Sequence, residues 1–365
     1  MIYLICFAIS VFFFYIGRQI DDPINKYFIF IMAILPPAIV AGCRDLTIGT
    51  DTWTYPYPTF LICKNSQTIG RAFQYVIVGM EELYVVLAFI SAHLIPSHYF
   101  FFFISHLVIL GTLLYAFNRA RVNPAVAFTL FYLMFYASSL NVARQFLAMP
   151  FCLLSLIEFI RRNYIRSSLA MCLAFGFHHS SLLFLTILLL YYLCSRHLQF
   201  MRKRSTIAMM VIMIVASMYM FNEILSSIVG IGLADIKYLE RYGSGDLYGT
   251  NVPISLFSIT IFNIIMFMFV SRKIRWRSFY VFSIYVLLIS FLSCFLGLIS
   301  SYAVRIGVYY MMVSIISMTF VMKKNNVLFS MIVYSFYIFY WFMVVVVANL
   351  GQTYPYSSNL LDSML

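Results

Sequence analysis

Charged residues, and acidic residues above all, are scarce in this chain. Its 365 residues include 24 Lys and Arg but only 12 Asp and Glu, so charged residues make up 10% and hydrophobic residues 63%. Soluble domains carry about 25% charged residues, so this composition excludes a soluble enzyme or binding module. The net charge of +12 does not indicate nucleic acid, because no basic stripe with interleaved aromatic residues lies in a polar region.

Motifs of soluble catalysis and metal binding are also missing. The chain has no P-loop, no nucleophile elbow and no zinc-ligand spacing, so we predict neither a metal nor a cofactor. Five of the seven cysteines lie in apolar runs, where a small buried hydrophobic residue is the usual role: Cys6, Cys152, Cys172, Cys194 and Cys294. Cys43 and Cys63 share a polar segment, and their pairing depends on an oxidising compartment and on their separation.

Long apolar runs take the place of these missing features. Runs of roughly 17 to 25 residues, the length that crosses a hydrocarbon core, recur between short polar breaks and favour helices over a barrel. We predict an all-α polytopic membrane protein with about 12 to 14 transmembrane helices, forming a single integral membrane domain over residues 1–365. The predicted spans are 1–17, 26–42, 72–95, 99–117, 123–139, 142–160, 165–178, 180–195, 206–222, 251–270, 277–298, 303–322 and 326–347.

Basic clusters fall between alternate spans, which predicts that they lie in the cytoplasm. These clusters contain Arg119, Arg121, Arg161, Arg162, Arg166, Arg196, Arg202, Lys203, Arg204, Arg272, Lys273, Arg275, Arg277, Lys323 and Lys324. Residues 223–250 are then an external loop. The charge count does not decide the side of residues 43–71, and we expect an external loop there because its polar groups resemble those of the other outward segments. Glu81 and Glu82 divide 72–95 into two short pieces, which predicts a re-entrant or interfacial segment.

Ionisable residues on the predicted outer side each need a reason. Arg144 has no acidic residue within one turn, so it is either an interfacial side chain or an anion ligand. His178 is either a hydrogen-bonded interfacial residue or a proton acceptor. Arg44 and Arg305 fall on the same predicted side as Arg144, and three guanidinium groups suit a phosphate or diphosphate. Asp51 either caps a turn or acts in chemistry.

Five short motifs, in order along nearly the whole chain, bring a family into view. The first is Gly42-x-Arg44-x3-Ile48-Gly49-Thr50-Asp51-Thr52-x2-Tyr55. The others are Glu82-Leu83-Tyr84, Arg144-Gln145-x-Leu147-Ala148, His178-x-Ser180-Ser181-Leu182 and a late Arg305. The set resembles EpsG-like proteins, a branch of the Wzy-type polymerases of bacterial O-antigen, capsule and exopolysaccharide.

The resemblance implies a membrane glycosyltransferase of GT-C-like architecture in the bacterial cytoplasmic membrane, with its site facing outward. Its substrates would be undecaprenyl-diphosphate-linked sugar repeats, and its partners membrane lipids and a chain-length regulator, with no nucleic acid. The growing chain would pass from its lipid diphosphate to a hydroxyl of the incoming repeat, without a metal. Many relatives carry a long external loop rich in arginine, whereas 223–250 is short and offers only Lys237 and Arg241.

The site residues divide by role. A leaving diphosphate needs positive charge, for which the candidates are Arg44, Arg144 and Arg305. The acceptor hydroxyl needs a base, for which His178 is the first candidate and Asp51 and Glu82 are its rivals. Supporting roles fall to Gly49, Thr50, Tyr55, Gln145 and Ser180, and Gly49 is expected to allow a sharp bend.

Three other functions compete with a polymerase. A lipid-linked oligosaccharide flippase would also need cations for a diphosphate, but near the bilayer midplane and often in two similar halves. An O-antigen ligase would differ only in its acceptor. A membrane O-acyltransferase could also use His and Arg at a membrane face.

Overall fold

The computed structural model describes residues 2–77, 79–219, 254–269, 277–298 and 304–362. Within these ranges all regular secondary structure is helical and no strand occurs. The α-helices are α1 Ile2–Gln19, α2 Pro23–Gly42, α3 Pro56–Asn65, α4 Ile69–Tyr75, α5 Glu82–Leu94, α6 His98–Ala120, α7 Pro124–Phe131, α8 Ala137–Asn141, α9 Ala143–Ile160, α10 Tyr164–Phe177, α11 Phe184–Arg196, α12 Leu198–Met201, α13 Arg204–Tyr219, α14 Ile254–Met268, α15 Ser278–Ser293, α16 Arg305–Lys324, α17 Val327–Trp341 and α18 Asn359–Asp362.

Eight helical stretches of the described chain are long and apolar enough to cross a membrane. They are Ile2–Gln19, Pro23–Gly42, His98–Ala120, Ala143–Ile160, His179–Arg196, Ser278–Gly297, Arg305–Lys324 and Val327–Val347. Shorter apolar helices, such as α5 and α10, accompany them. The prediction of an all-α polytopic membrane protein is confirmed.

The helices group into two compact units. One contains residues 1–182 and 328–365, and the other contains residues 183–327. In the first unit α1 packs on α2, α2 on α6, α6 on α9, and α9 on α10. In the second unit α15 packs on α11, α14 and α16. The organisation of the chain as one integral membrane domain stays a prediction.

Tyrosine hydroxyl groups form buried hydrogen bonds in the first unit. A π-helical stretch, Tyr132–Tyr136, joins α7 to α8. Helix α2 contains Pro36 and Pro37, which cannot donate backbone hydrogen bonds. The Tyr136 hydroxyl donates to the Pro37 carbonyl at 2.6 Å, and the hydroxyl groups of Tyr132 and Ser10 are 2.7 Å apart. The core around α1 and α2 is therefore held by hydrogen bonds as well as by packing.

The predicted loops have mixed outcomes. Residues 43–71 are not a simple loop, because they contain α3 and the start of α4, and proline at the first turn of α3 favours helix there. The predicted division of 72–95 is confirmed, since α4 ends at Tyr75 and α5 begins at Glu82. The predicted external loop 223–250, with Lys237 and Arg241, lies outside the described residues.

Candidate functional site

Glu81 lies at the centre of a buried polar cluster in the first unit. It is the N-cap residue of α5, but its side chain makes no capping hydrogen bond. The side chain turns inward and is only 3% exposed. Its neighbour Glu82, in the first turn of α5, points outward and is 67% exposed. Of the two adjacent glutamates, Glu81 and not the predicted Glu82 is the one held inside the protein.

Arg144 forms one side of this cluster. Its Nη1 lies 2.6 Å from Oε2 of Glu81 and 3.4 Å from the Gly79 carbonyl oxygen. Its guanidinium carbon lies 4.5 Å from the centre of the Tyr55 ring. Its Nε is buried and has no hydrogen-bond partner among the residues that the structure describes. Arg144 is at the second position of α9, where the helix dipole disfavours a cation, so Glu81 is needed to hold it.

His178 forms the other side. It follows the last residue of α10, and its Nδ1 lies 2.6 Å from Oε1 of Glu81. An ionised carboxylate only accepts hydrogen bonds, so Nδ1 carries a hydrogen, and Nε2 carries a lone pair whenever the ring is neutral. Nε2 has no hydrogen-bond partner in the part of the chain that the structure describes. The side chain of His178 is 21% exposed.

The electrostatics keep the Glu81 carboxyl ionised. Burial alone raises its pKa, but the hydrogen bond and charge of His178, together with the charge of Arg144, outweigh burial and lower the pKa to about 2. The arrangement therefore holds one fixed anion between the guanidinium of Arg144 and the imidazole of His178.

Unsatisfied donors surround the cluster. Besides Nε of Arg144, the hydroxyl of Tyr84 is buried without a hydrogen-bond partner, and the Tyr84 and Tyr55 rings are 6.1 Å apart. Buried polar groups are nearly always paired in folded proteins, so these two donors stand out within the part of the chain that the structure describes.

Arg44 is placed differently from Arg144. It is only 1% exposed, its Nη1 and Nη2 donate to the carbonyl groups of Ala41 and Leu140, and its guanidinium lies 4.1 Å from the centre of the Phe102 ring. Burial lowers its pKa to about 10. These contacts tie α2 to α8 and α6, and they leave diphosphate binding by Arg44 as a prediction from the sequence.

The segment that contains Asp51 is held by the side-chain amide of Asn141 and by the backbone carbonyl of Gln352. The Asn141 side-chain oxygen accepts from the Asp51 amide at 2.8 Å and from the Thr50 hydroxyl at 3.1 Å. The Gly49 amide donates to the Gln352 carbonyl. Gly49 has φ of 89°, and an added Cβ would lie 3.0 Å from the Leu140 oxygen, so only glycine fits this bend.

The remaining predicted residues lie at varying distances from the cluster. Tyr55 and Gln145 are both buried, Tyr55 against Arg144 and Gln145 next to it in sequence. Ser180 belongs to a 3-10 helix, His179–Leu183, directly after His178. The Asp51 side chain is half-buried, and its direct role in catalysis stays a prediction. Arg305 begins α16 in the second unit, and its convergence with Arg144 also stays a prediction.

The sequence did not predict that Glu81 is the partner of Arg144. Arg144 has no acidic residue nearby in sequence, but its partner lies 63 residues away. The sequence feature that could have indicated this partner is the pair of adjacent acidic residues at the break before α5.

Cys43 and Cys63 are separate free thiols, so the disulfide that the sequence allowed does not form. Among the described residues, no three His, Cys, Asp or Glu side chains are grouped as a metal site.

Comparison with known protein families gives a match over most of the chain. The model of the EpsG family matches residues 26–358. This range contains every residue of the Glu81 cluster. Searches of curated proteins and of solved structures found no match.

Proposed function

This chain belongs to the EpsG family, which is associated with polysaccharide biosynthesis, and we propose that it polymerises undecaprenyl-diphosphate-linked oligosaccharide repeats. In this proposal the growing chain is transferred from its lipid diphosphate to the incoming lipid-linked repeat. The site faces outward across the bacterial cytoplasmic membrane. The protein is a multi-pass membrane protein, so both lipid-linked substrates can reach it from the bilayer.

The observation that carries the proposal is the single carboxylate of Glu81 held by both Arg144 and His178, each at 2.6 Å. Glycosyl transfer to a hydroxyl needs a base near the acceptor and positive charge near the leaving group. The cluster offers both at adjacent positions.

His178 acts as the general base. Glu81 fixes the ring through Nδ1, so the lone pair on Nε2 points away from the carboxylate and accepts the proton of the acceptor hydroxyl. The hydroxyl oxygen then forms a bond to the anomeric carbon of the donor. The bond between that carbon and the phosphate oxygen breaks, and its electron pair leaves with the lipid diphosphate.

Arg144 binds the leaving diphosphate. Its Nη1 is engaged by Glu81, whereas Nε has no partner and Nη2 makes no hydrogen bond to a described residue. With His178 neutral, the charges of Glu81 and Arg144 cancel. When His178 takes the proton, the cluster gains one positive charge at the step in which the diphosphate gains negative charge, and this stabilises the transition state electrostatically.

The other candidates take secondary places in this mechanism. In this mechanism Glu81, rather than Glu82, is the carboxylate that holds His178 and Arg144. Glu82 is exposed, and its Oε2 lies 3.7 Å from Nε2 of His179. Arg305 as a further diphosphate ligand, Asp51 as a rival base and a chain-length regulator as a partner stay predictions from the sequence.

The test is chain elongation by the purified protein in liposomes supplied with purified lipid-linked repeats. Wild type should produce a ladder of long products, and Glu81→Gln should produce almost none when the two are compared at equal amounts of folded, inserted protein. In a deletion strain, a polymerase null keeps one repeat on the final acceptor, whereas a flippase or ligase null keeps none. A deletion strain without any attached repeat would contradict the proposal.

A further inference from the structure

A second cationic site lies at the opposite end of α9 from Arg144. A cavity of about 210 Å³ is lined by Tyr27, Tyr115, Asn118, Arg119, Arg121 and Arg161. All six residues belong to the first unit. A cavity of this size is smaller than the usual small-molecule pocket of about 300 to 1,000 Å³, but it has room for a compact polar group.

The arginines of this cavity are arranged by hydrogen bonds. Arg119 holds both oxygens of Glu158 through Nε and Nη2, at 2.5 and 3.0 Å. Arg161 donates from Nη1 to the Arg119 carbonyl at 3.2 Å. Glu158 forms its ion pair with Arg119, and neither Arg121 nor Arg161 forms an ion pair with a carboxylate among the described residues.

The charge summed over the lining arginines, Glu158 and the ends of α6 and α9 is positive. Three arginines and Glu158 sum to two positive charges. Helices α6 and α9 both end here, and each helix end contributes about half a negative charge. About one positive charge remains, and the side-chain nitrogen of Asn118 is buried without a hydrogen-bond partner in the described part of the chain. The cavity therefore suits a small anion that accepts hydrogen bonds.

Arg121 occupies an unusual backbone position. It follows the last residue of α6 with φ of 55°, a left-handed conformation that glycine or asparagine usually fills. Arg162, after α9, has φ of 61°. Strained residues of this kind often persist where the side chain has a function. Arg121 lines the cavity and Arg162 does not, which makes the two residues a matched pair.

The position of the cavity along the helices favours a lipid as the source of the anion. Tyr27 and Tyr115 are exposed, at 54% and 48%. They lie four and five residues from the ends of α2 and α6, or about 6 to 8 Å along the axis at 1.5 Å per residue. Tyrosine at this depth is typical of the membrane interface, where lipid phosphate groups lie.

We propose that this cavity binds the phosphate group of an anionic membrane lipid, with Arg121 and Arg161 as its ligands and Asn118 as a further donor. The site is separate from the Glu81 cluster and does not depend on the polymerase proposal. The sequence places these arginines in the cytoplasm, where the leaflet is negatively charged and attracts basic residues.

The experiment measures thermal unfolding of the full-length protein in a neutral detergent. The probes are short-chain phosphatidylglycerol, short-chain phosphatidylcholine and inorganic phosphate, all at matched ionic strength. Phosphatidylglycerol should raise the melting temperature and phosphatidylcholine should not. Arg121→Gly should lose most of that rise, whereas Arg162→Gly should keep it. Both substitutions relieve a left-handed backbone, so folding is not impaired in either.

Each result is decisive. An equal response of wild type and Arg121→Gly to phosphatidylglycerol would overturn the proposal, as would an equal response to the two lipids. A rise with inorganic phosphate that matches the rise with phosphatidylglycerol would support the phosphate site but identify a soluble phosphate as its source. Loss of the response in Arg162→Gly as well would reduce the site to general surface charge.

Discussion

The two ends of α9 carry two ion pairs that look alike and differ in what they leave unsatisfied. Arg144 begins the helix and Glu158 lies in its last turn, so both charges oppose the helix dipole and both require a partner from another segment. At the far end, Arg119 uses two nitrogens to fill both oxygens of Glu158. At the near end, Glu81 gives one oxygen to Arg144 and the other to His178.

This difference separates a structural pair from a candidate catalytic one. The Glu158 pair is closed, because each carboxylate oxygen has its donor from a single arginine. The Glu81 pair is open, since it shares its carboxylate with an imidazole and leaves Nε of Arg144 buried without a hydrogen-bond partner among the described residues. Burial and pairing alone are therefore poor indicators of function, and unsatisfied donors beside a titratable group are better ones.

The largest effect is expected at His178. His178→Ala should lower the rate of chain elongation by about 10² to 10⁴-fold, the usual contribution of a general base. His179→Ala is the matched control, because its ring lies 3.7 Å from the exposed Glu82 and outside the Glu81 cluster. Elongation by liposome-reconstituted protein is the measurement. Equal losses in the two variants would mean that the open pair is not the site of proton transfer.

The second effect is expected at Arg144. Arg144→Lys should lower elongation by about 10² to 10³-fold, because lysine cannot hold Glu81 and a phosphate oxygen at once with fixed geometry. The exposed Arg166 supplies the control variant, Arg166→Lys, which should elongate like wild type. Near-normal elongation by Arg144→Lys would return Arg144 to the role of an interfacial side chain.

The sequence predicted these elements unequally, for physical reasons. Long apolar runs predict membrane helices because only helices satisfy the backbone within a bilayer, and α1, α2 and α6 agree with the predicted spans to within a few residues. Arg144 and His178 were identified because a charged or titratable group at an apolar helix end is costly.

The partner of these two residues was not predictable in the same way. Glu81 and Glu82 are adjacent, and a glutamate in the first turn of a helix is favourable by itself, which made Glu82 the natural candidate. Only the packing of α5 against α10 decides that Glu81 faces inward. In the same way, local sequence does not show that Asn141 fixes Thr50 and Asp51, since this contact joins residues 90 positions apart.

The third prediction concerns stability against pH. The pKa of Glu81 is lowered from 4.5 to about 2 in the folded protein, so the folded state binds fewer protons than the unfolded state between these values. The stabilisation is full above about pH 4.5 and is lost as pH falls toward about 2, and it amounts to about 3 kcal/mol. Glu81→Gln should therefore flatten the fall in unfolding free energy over this range.

The control for this measurement is Glu82→Gln, because Glu82 is adjacent and 67% exposed. Chemical unfolding in detergent at a series of acidic pH values gives the comparison. If Glu82→Gln flattened the curve as much as Glu81→Gln did, the depressed pKa would not belong to the buried carboxylate.

The smallest effect is expected at the closed pair. Glu158→Gln keeps the shape of the side chain and one carbonyl oxygen, so one hydrogen bond from Arg119 survives. Arg119 is 26% exposed and reaches water, so the loss in unfolding free energy should be about 1 to 2 kcal/mol.

Elongation per folded molecule of Glu158→Gln should stay within about two-fold of wild type, because no proton or leaving group passes through this pair. Glu81→Gln, the same chemical change at the open pair, should lower elongation far below this two-fold range. A loss of elongation in Glu158→Gln comparable to that in Glu81→Gln, at equal amounts of folded protein, would show that the difference between the closed and open pairs does not determine function.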